Sequence, residues 1–356
     1  MDLNVIKQKL FRLYLAWICR PYRVKKHLKS SLPAGRKPAP VNRRRIRAAA
    51  LQLEFKLVKN PLDYVDEMHR QVAKAAAKGT QVVVFPEYNS LPLLGLLPGS
   101  GELEERAQKS AEGEKDTGNG IDLEVLLPDL FRYMSPVVQP LVHALFSSLA
   151  EAYGLYIMAG SHTLTENGDL VNRAYLYDPS GKLKGAQDKV NLLPRETTWN
   201  IKRGSTFSVF KTPLGNLGLP VCMDATYYET FRALELAGAD IALLPIADPQ
   251  EYNFWLALRG IWPRVQESPL YGIKGALVGN MAGFIFTGRA GIFAPLELTP
   301  AGDGVLDEVE PCDREAMAVA DLDLEALHAL RADHPWRDQN LALYRRYFPE
   351  IYGSQI

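Results

Sequence analysis

Apolar and polar positions switch between two periods along the chain, and the switches mark its elements. Residues 47–53, RAAALQL, read as a first strand. Residues 61–78 carry Val65, Met68, Val72 and Ala75/Ala76 at helical spacing. Val82–Phe85 is a short β-prone run closed by Pro86, because proline cannot extend a ladder. A helix over Pro136–Tyr153 follows, then strands over Leu155–Ser161 and Ala174–Tyr177 and a turn at Asp178–Gly181. Further on, the pattern predicts a short strand before Cys222 and a helix over 229–237. Strands are expected at Asp240–Pro245, Gly275–Gly279, Gly283–Phe286, Gly291–Ala294 and Met317–Asp321, and partial helix at 252–267. Repeated strand–helix alternation predicts an α/β fold. At 356 residues, one such domain with appendages accounts for the chain.

Two stretches stand apart from that rhythm. Residues 91–135 form an insertion: a leucine-rich opening, a polar and Gly-rich middle up to Gly120, and an apolar run over Leu123–Met134. Long connections of this kind are commonly lids. The leucines favour a lid or a membrane-touching flap over a plain surface insertion. Residues 3–19, LNVIKQKLFRLYLAWIC, place Leu3, Ile6, Leu10, Leu13, Tyr14 and Trp17 on one helical face, with Lys7, Lys9, Arg12 and Arg20 beside or opposite it.

Charge sharpens the second observation. The chain is neutral overall, yet residues 1–47 hold 14 Lys/Arg against one acid, so the remainder is correspondingly acidic. A basic amphipathic helix followed by a polybasic stretch suits an anionic membrane interface. It is too short and too charged to span a bilayer or to act as a secretory signal. The competing placements are a helix packed on the body or on a second subunit, and a nucleic-acid arm; nothing else in the chain resembles a nucleic-acid module. Three cysteines, Cys19, Cys222 and Cys312, lie far apart and suggest neither a disulfide framework nor a metal site.

Candidate chemistry gathers in three stretches. In GNLGLPVCMDATYYE, residues 215–229, Cys222 is expected where a strand ends and a helix begins. The amide N–H groups there would favour a thiolate and bind an oxyanion. In QVVVFPEYN, residues 81–89, Glu87 stands at a strand's C-terminal end. In DKVNLLPRET, residues 188–197, Lys189 and Glu196 flank an apolar turn. Singly, each has a bland alternative: a buried cysteine, a loop carboxylate, a surface lysine.

Together, FPE at 85–87, KVNLLPRE at 189–196 and CMDATYYE at 222–229 resemble, in order and spacing, the motifs of the carbon–nitrogen hydrolase (nitrilase) superfamily. The likeness runs over roughly Ile46 to Leu324. It implies a four-layer αββα sandwich and a catalytic triad of Glu87, Lys189 and Cys222, with no cofactor and no metal. Glu87 would be general base and Cys222 the nucleophile forming a thioester. Lys189 and the N–H of Met223 would hold the oxyanion. Glu196 would orient Lys189, and Asp224 and Glu229 would support the loop after the nucleophile. Tyr88, Asn191, Thr226, Tyr227, Asn280 and Trp199 are the candidate pocket residues. Thr226 and Tyr227-Tyr228 depart from the Arg and Phe-Pro of many family amidases. Met223-Asp224, in place of the nitrilases' Trp-Glu, favours amides over nitriles.

The implied organisation is an N-terminal extension (1–45), a hydrolase domain (46–324) and a tail (325–356) that contacts a second subunit in at least a dimer. The implied partners are a small-molecule amide and, through residues 1–45, an anionic membrane surface, but no nucleic acid. A reducing, cytoplasmic setting suits a catalytic thiol, with peripheral placement on the inner membrane face. A hydrophobic amide met at that surface stands beside a small soluble amide as the substrate. The alternatives are nitrile hydrolysis, N-acyl transfer, or a non-catalytic membrane-associated scaffold.

Overall fold

The structure is a computed structural model and describes residues 3–35, 38, 40–101, 123–281, 284–333 and 340–353. Two helices lead, α1 (Leu3–Ile18) and α2 (Pro21–Leu28). Strand β1 (Ile46–Glu54) is followed by α3 (Pro61–Ala77), which starts at a built cap. There the Asn60 side chain accepts from the Leu62 N–H, and Pro61 occupies the first turn, where no donor is missed. Next come β2 (Val82–Val84) and a buried 3-10 turn at Leu91–Leu96, then α4 (Leu123–Tyr153). Strands β3 (Tyr156–Glu166), β4 (Asp169–Tyr177) and β5 (Leu183–Asp188) form a meander that leads to the short helix α5 (Pro194–Thr198).

The second half runs β6 (Val209–Thr212), β7 (Gly215–Gly218), a 3-10 turn at Cys222–Thr226, α6 (Tyr228–Leu236) and β8 (Ile241–Ile246). Then follow α7 (Phe254–Ala257), α8 (Ile261–Glu267), β9 (Tyr271–Met281), β10 (Phe284–Phe286), β11 (Gly291–Phe293), β12 (Val305–Glu308) and β13 (Ala316–Leu322). Helices α9 (Leu324–Asp333) and α10 (Leu341–Gly353) close the described chain.

Strand pairing gives the order β5-β4-β3-β2-β1-β9-β8-β7-β6, with β13 antiparallel on β1 and β11 antiparallel on β9. The halves join where Gln52–Glu54 pairs in parallel with Ala276–Val278. Burial on alternate residues explains the layers. Ile46, Ala48 and Ala50 of β1 face the same apolar core as Ile241 and Leu243 of β8, so the two halves pack sheet on sheet. Ala49, Leu51 and Leu53 face the opposite way, onto Tyr64, Val65, Met68 and Val72 of α3 and Leu141, Leu145 and Leu149 of α4. On the far side, Ala242 and Leu244 pack under Phe231 of α6 and Ile261 and Val265 of α8. Three successive cores between helix, sheet, sheet and helix make the expected four-layer αββα sandwich.

Three expectations need correction. The break expected before Pro136 is absent: α4 runs 31 residues with Pro128, Pro136 and Pro140 inside it. Each proline removes a backbone hydrogen bond, but burial of Leu141, Leu145, Phe146 and Leu149 against the sheet holds the rod together. The leucines of the insertion do not form a flap. Leu91, Leu93, Leu94 and Leu96 are buried in the core under α3 and α4. The middle of the insertion, 102–122, lies outside the described residues, as does Gly283. Finally, α1 does pack on the body, but not with the face picked out by its sequence: Leu15, Ile18 and Cys19 are buried, while Leu10, Leu13, Tyr14 and Trp17 stay exposed.

Candidate active site

Glu87, Lys189 and Cys222 each lie just beyond a strand, and the strands deliver them to one point, where Glu196 of α5 joins them. Glu87 lies three residues beyond β2, on a loop fixed by backbone bonds. The Asn89 N–H donates to the Ser161 carbonyl (2.9 Å), the Ser161 N–H donates to the Pro86 carbonyl (3.3 Å), and the Asn89 side chain donates to the Ala159 carbonyl (2.9 Å). Gly160 makes this approach possible. Its φ is +76°, and a Cβ there would lie 2.0 Å from the Pro86 oxygen. Tyr88, next to Glu87, itself adopts φ +54°.

Lys189 directly follows β5 and is fully buried, as are Glu87 and Glu196. Its Nζ donates to Glu87 Oε1 at 2.9 Å and pairs with Glu196 Oε2 at 2.7 Å. Glu196 is further held by the Leu193 N–H (2.8 Å) and the Tyr88 hydroxyl (2.5 Å). The second oxygen of Glu87 accepts from the Ala247 N–H at 3.0 Å, at the end of β8. Asn172, in the interior of β4, was not picked out by sequence reasoning. Its Nδ2 donates to both carboxylates, at 2.8 Å to Glu87 and 3.1 Å to Glu196. The available signal was an amide between Val171 and Arg173, just ahead of the apolar run Ala174–Tyr177, a group that burial obliges to find partners.

Cys222 does not open an α-helix. It begins the one-turn 3-10 segment four residues after β7, and its φ is +44°, a left-handed conformation that non-glycine residues rarely adopt. This sharp turn leaves the residue partly exposed while its thiol stands close enough to Glu87 for that carboxylate to act on it. Asp224 secures the turn. Its carboxylate accepts from the Val221 N–H (3.0 Å), the Asn191 N–H (2.7 Å) and the Asn191 side chain (2.9 Å), tying the cysteine loop to the lysine loop.

The electrostatics follow from burial first. Desolvation, then the neighbouring Glu87 charge, pushes the Cys222 thiol well above its ordinary range. Burial raises Glu87 too, with Lys189 opposing and Glu196 adding to the rise. Burial would lower Lys189, but Glu87, Cys222 and Glu196 outweigh it and hold the ammonium charged. Glu196 is lowered, because Lys189 and its donors overcome its burial. The resting site is therefore a thiol beside a raised carboxylate, with a fixed cation between two acids. That arrangement suits a base poised nearer neutral pH.

Beside the centre opens an apolar cleft of about 420 Å³, including its open mouth. Tyr88, Glu196 and Ala247 form its inner wall; Leu127, Phe131, Trp199, Phe284 and Phe286 are among its apolar lining residues. A second apolar pocket shares Tyr88, Leu91 and Phe131. Of the candidate pocket residues, Tyr88 and Trp199 line the cleft. Asn191 is instead bound to Asp224, Thr226 and Tyr227 are exposed on the loop after Cys222, and Asn280 is exposed near the end of β9. Met223 is half-buried beside Cys222, and the Glu229 carboxylate accepts from the Tyr352 hydroxyl of α10.

A carbon-nitrogen hydrolase family profile matches residues 47–260, which hold all of these motif residues. The chain belongs to the carbon-nitrogen hydrolase family. Within it, a Bacillus subtilis (strain 168) protein named "Probable hydrolase YhcX" is 26% identical over 316 residues, covering 87% of this chain but 54% of the relative. This family member thus spans about half the length of that relative. A Pyrococcus abyssi nitrilase is 27% identical over 256 residues, 70% of this chain and 82% of the relative. Among solved structures, an amidase from Nesterenkonia sp. AN1 in complex with acrylamide superposes with a TM-score of 0.62 at 19% identity, covering 87% of this chain and 99% of that one. That likeness is one of fold.

Proposed function

We propose that the protein hydrolyses a non-peptide amide through a thioester on Cys222. The observation that carries this reading is the buried Lys189 ammonium held between Glu87 and Glu196, beside Cys222, whose thiol feels the Glu87 and Lys189 charges. Glu87 takes the thiol proton as sulfur attacks the amide carbon. Lys189 and the Met223 N–H receive the oxyanion. Glu87 returns the proton to the departing amine, the thioester remains, and Glu87 then activates water to release the acid. Glu196 keeps Lys189 in place and Asp224 the cysteine loop; Glu229 supports that loop from its far end.

The apolar cleft beside Glu196 supports a substrate with a hydrophobic acyl or amine portion. The fuller reading has this amide met at a membrane surface and the enzyme at least dimeric. Small amides bound to the Nesterenkonia amidase, acrylamide and butyramide, make a small amide the reference substrate. The Pyrococcus nitrilase supports a second reading, nitrile hydrolysis on the same residues.

The test is intact-mass spectrometry of wild type, Glu87→Gln and Cys222→Ala after mixing with short- and long-chain acyl amides and matched nitriles. An acyl-sized gain on wild type or Glu87→Gln, absent from Cys222→Ala, is expected from amides, with larger turnover for apolar acyl groups. Adducts from nitriles alone would favour the second reading. No adduct and no released ammonia or amine from either class would overturn both.

A further inference from the structure

Helix α1 is apolar on two adjacent faces, and the protein body covers one. Phe11, Leu15 and Ile18, spaced i, i+4, i+7, point inward with Cys19. Leu10, Leu13, Tyr14 and Trp17, spaced i, i+3, i+4, i+7, form the second stripe, with 60%, 68%, 53% and 49% of their surface exposed. The helix is held in this roll by its inner stripe and by Arg12, whose guanidinium lies 5.3 Å from the Tyr133 ring of α4. The outer stripe is therefore displayed by a fixed element.

Helix α2 continues the display with a different chemistry. Val24 and Leu28 are buried, while Tyr22, Lys25, Lys26 and Lys29 face outward at the same helical spacing. The Arg23 guanidinium covers the Trp17 ring at 4.3 Å, joining the two stripes. Residues 3–28 contain no acidic side chain. Aliphatic residues with Trp and Tyr beside outward lysines match a bilayer interface that offers acyl chains below and anionic headgroups above; the carboxylate nearest to α2, Asp66 of α3, is paired with His27 at 2.6 Å. At 16 residues α1 is about 24 Å long, and among the described residues no helix is long and apolar enough to cross a membrane. The helix would lie in the interface plane.

We infer that the outer stripes of α1 and α2 dock the protein on an anionic lipid bilayer. Helix α4, which contacts α1, also supplies Leu127 and Phe131 to the cleft beside Glu196. Docking therefore brings the cleft-bearing helix next to lipid. This purpose rests on the proposed hydrolysis of an apolar amide; the docking itself does not.

The experiment uses the full chain and sedimentation with vesicles of phosphatidylcholine, with or without phosphatidylglycerol. Wild type is expected to bind the anionic vesicles at least about tenfold more tightly, and less so as salt rises. Leu13→Ser/Trp17→Ser and Lys25→Glu/Lys26→Glu should each weaken that binding by about tenfold or more, with circular dichroism and turnover of a soluble amide unchanged. Equal binding to both vesicle types, no binding, or binding indifferent to both variants would overturn the inference. Light scattering without lipid guards the competing occupant. If Leu13→Ser/Trp17→Ser lowers the oligomeric mass, a second copy covers the stripe and the inference falls. A protein that binds anionic vesicles yet turns over no amide would leave the docking standing and remove the functional reading.

Discussion

At the scale of the residue, Asn172 governs how the two carboxylates share one cation. Its amide donates to the charged form of Glu87 and Glu196 alike, and both contacts are buried. Hydrogen bonds to a carboxylate favour its ionised form, so their loss raises the pKa of Glu87 further. In the proposed mechanism Glu87 must be ionised to accept the thiol proton. Asn172→Leu should therefore shift the acid limb of the kcat/KM pH profile upward. It should also lower kcat by about 10- to 100-fold, with KM less affected, since an unsatisfied buried carboxylate costs on the order of 1–3 kcal/mol. A pH–rate profile of wild type and variant checks this, and an unchanged limb would place Asn172 in a packing role. Glu87, Lys189, Glu196 and Cys222 were legible because each lies in a short motif with fixed neighbours. Asn172 was not, because its partners come from the loop after β2 and from α5, and because it lies outside the strand that the pattern predicts at Ala174–Tyr177. The left-handed turn at Cys222 was likewise hidden, since Pro220 and Met223-Asp224 do not announce a φ of +44°.

At the scale of the element, the insertion and α1 show how burial reassigns an apolar pattern. Leucines at 91–96 look like an exposed flap in one dimension, because no period marks a 3-10 turn of six residues. In the structure Leu93 is 1% exposed and packed within the main helix–sheet core. Leu93→Ala should cost about 2–5 kcal/mol of stability, the range for a cavity left in a tight core. Urea unfolding would show it as a lowered midpoint at unchanged slope, whereas a true surface flap would move the midpoint little. Helix α4 was cut at Pro136 by propensity alone; tertiary packing overrides that rule when the buried face is long enough. The amphipathic face of α1 was read correctly as a stripe, but its sequence did not reveal the second stripe that meets the body.

At the scale of the whole molecule, the α/β class was readable from strand–helix alternation, but the αββα layering was expected only from the motif resemblance, because β1 and β8 are continuous apolar runs buried on both faces; the joining of the two halves at Gln52–Glu54 was not readable. One buried group links the layers to acidity. His162 of β3 is fully buried against Phe146 and Tyr175, with no side chain bonded to either ring nitrogen. Burial, with His143 adding, lowers its pKa to about 3. The unfolded chain takes up that proton below about 6.5, so between these values the unfolded state binds more protons and stability falls as pH drops. His162→Phe should reduce the loss of stability between about pH 7 and about pH 4, measured as the change in urea midpoint. An identical acid loss in both proteins would assign it to other groups.

The placement of the site across the two halves has a consequence for how the site is assembled. Glu87 and Lys189 follow strands of one half, Cys222 follows a strand of the other, and Asp224 joins their loops. Neither half holds the chemistry by itself, and each alone would expose one wall of the sheet-on-sheet core. A newly synthesised chain can therefore acquire its secondary structure before the site exists, and Glu87, Lys189 and Cys222 meet only when the later half closes onto the earlier one.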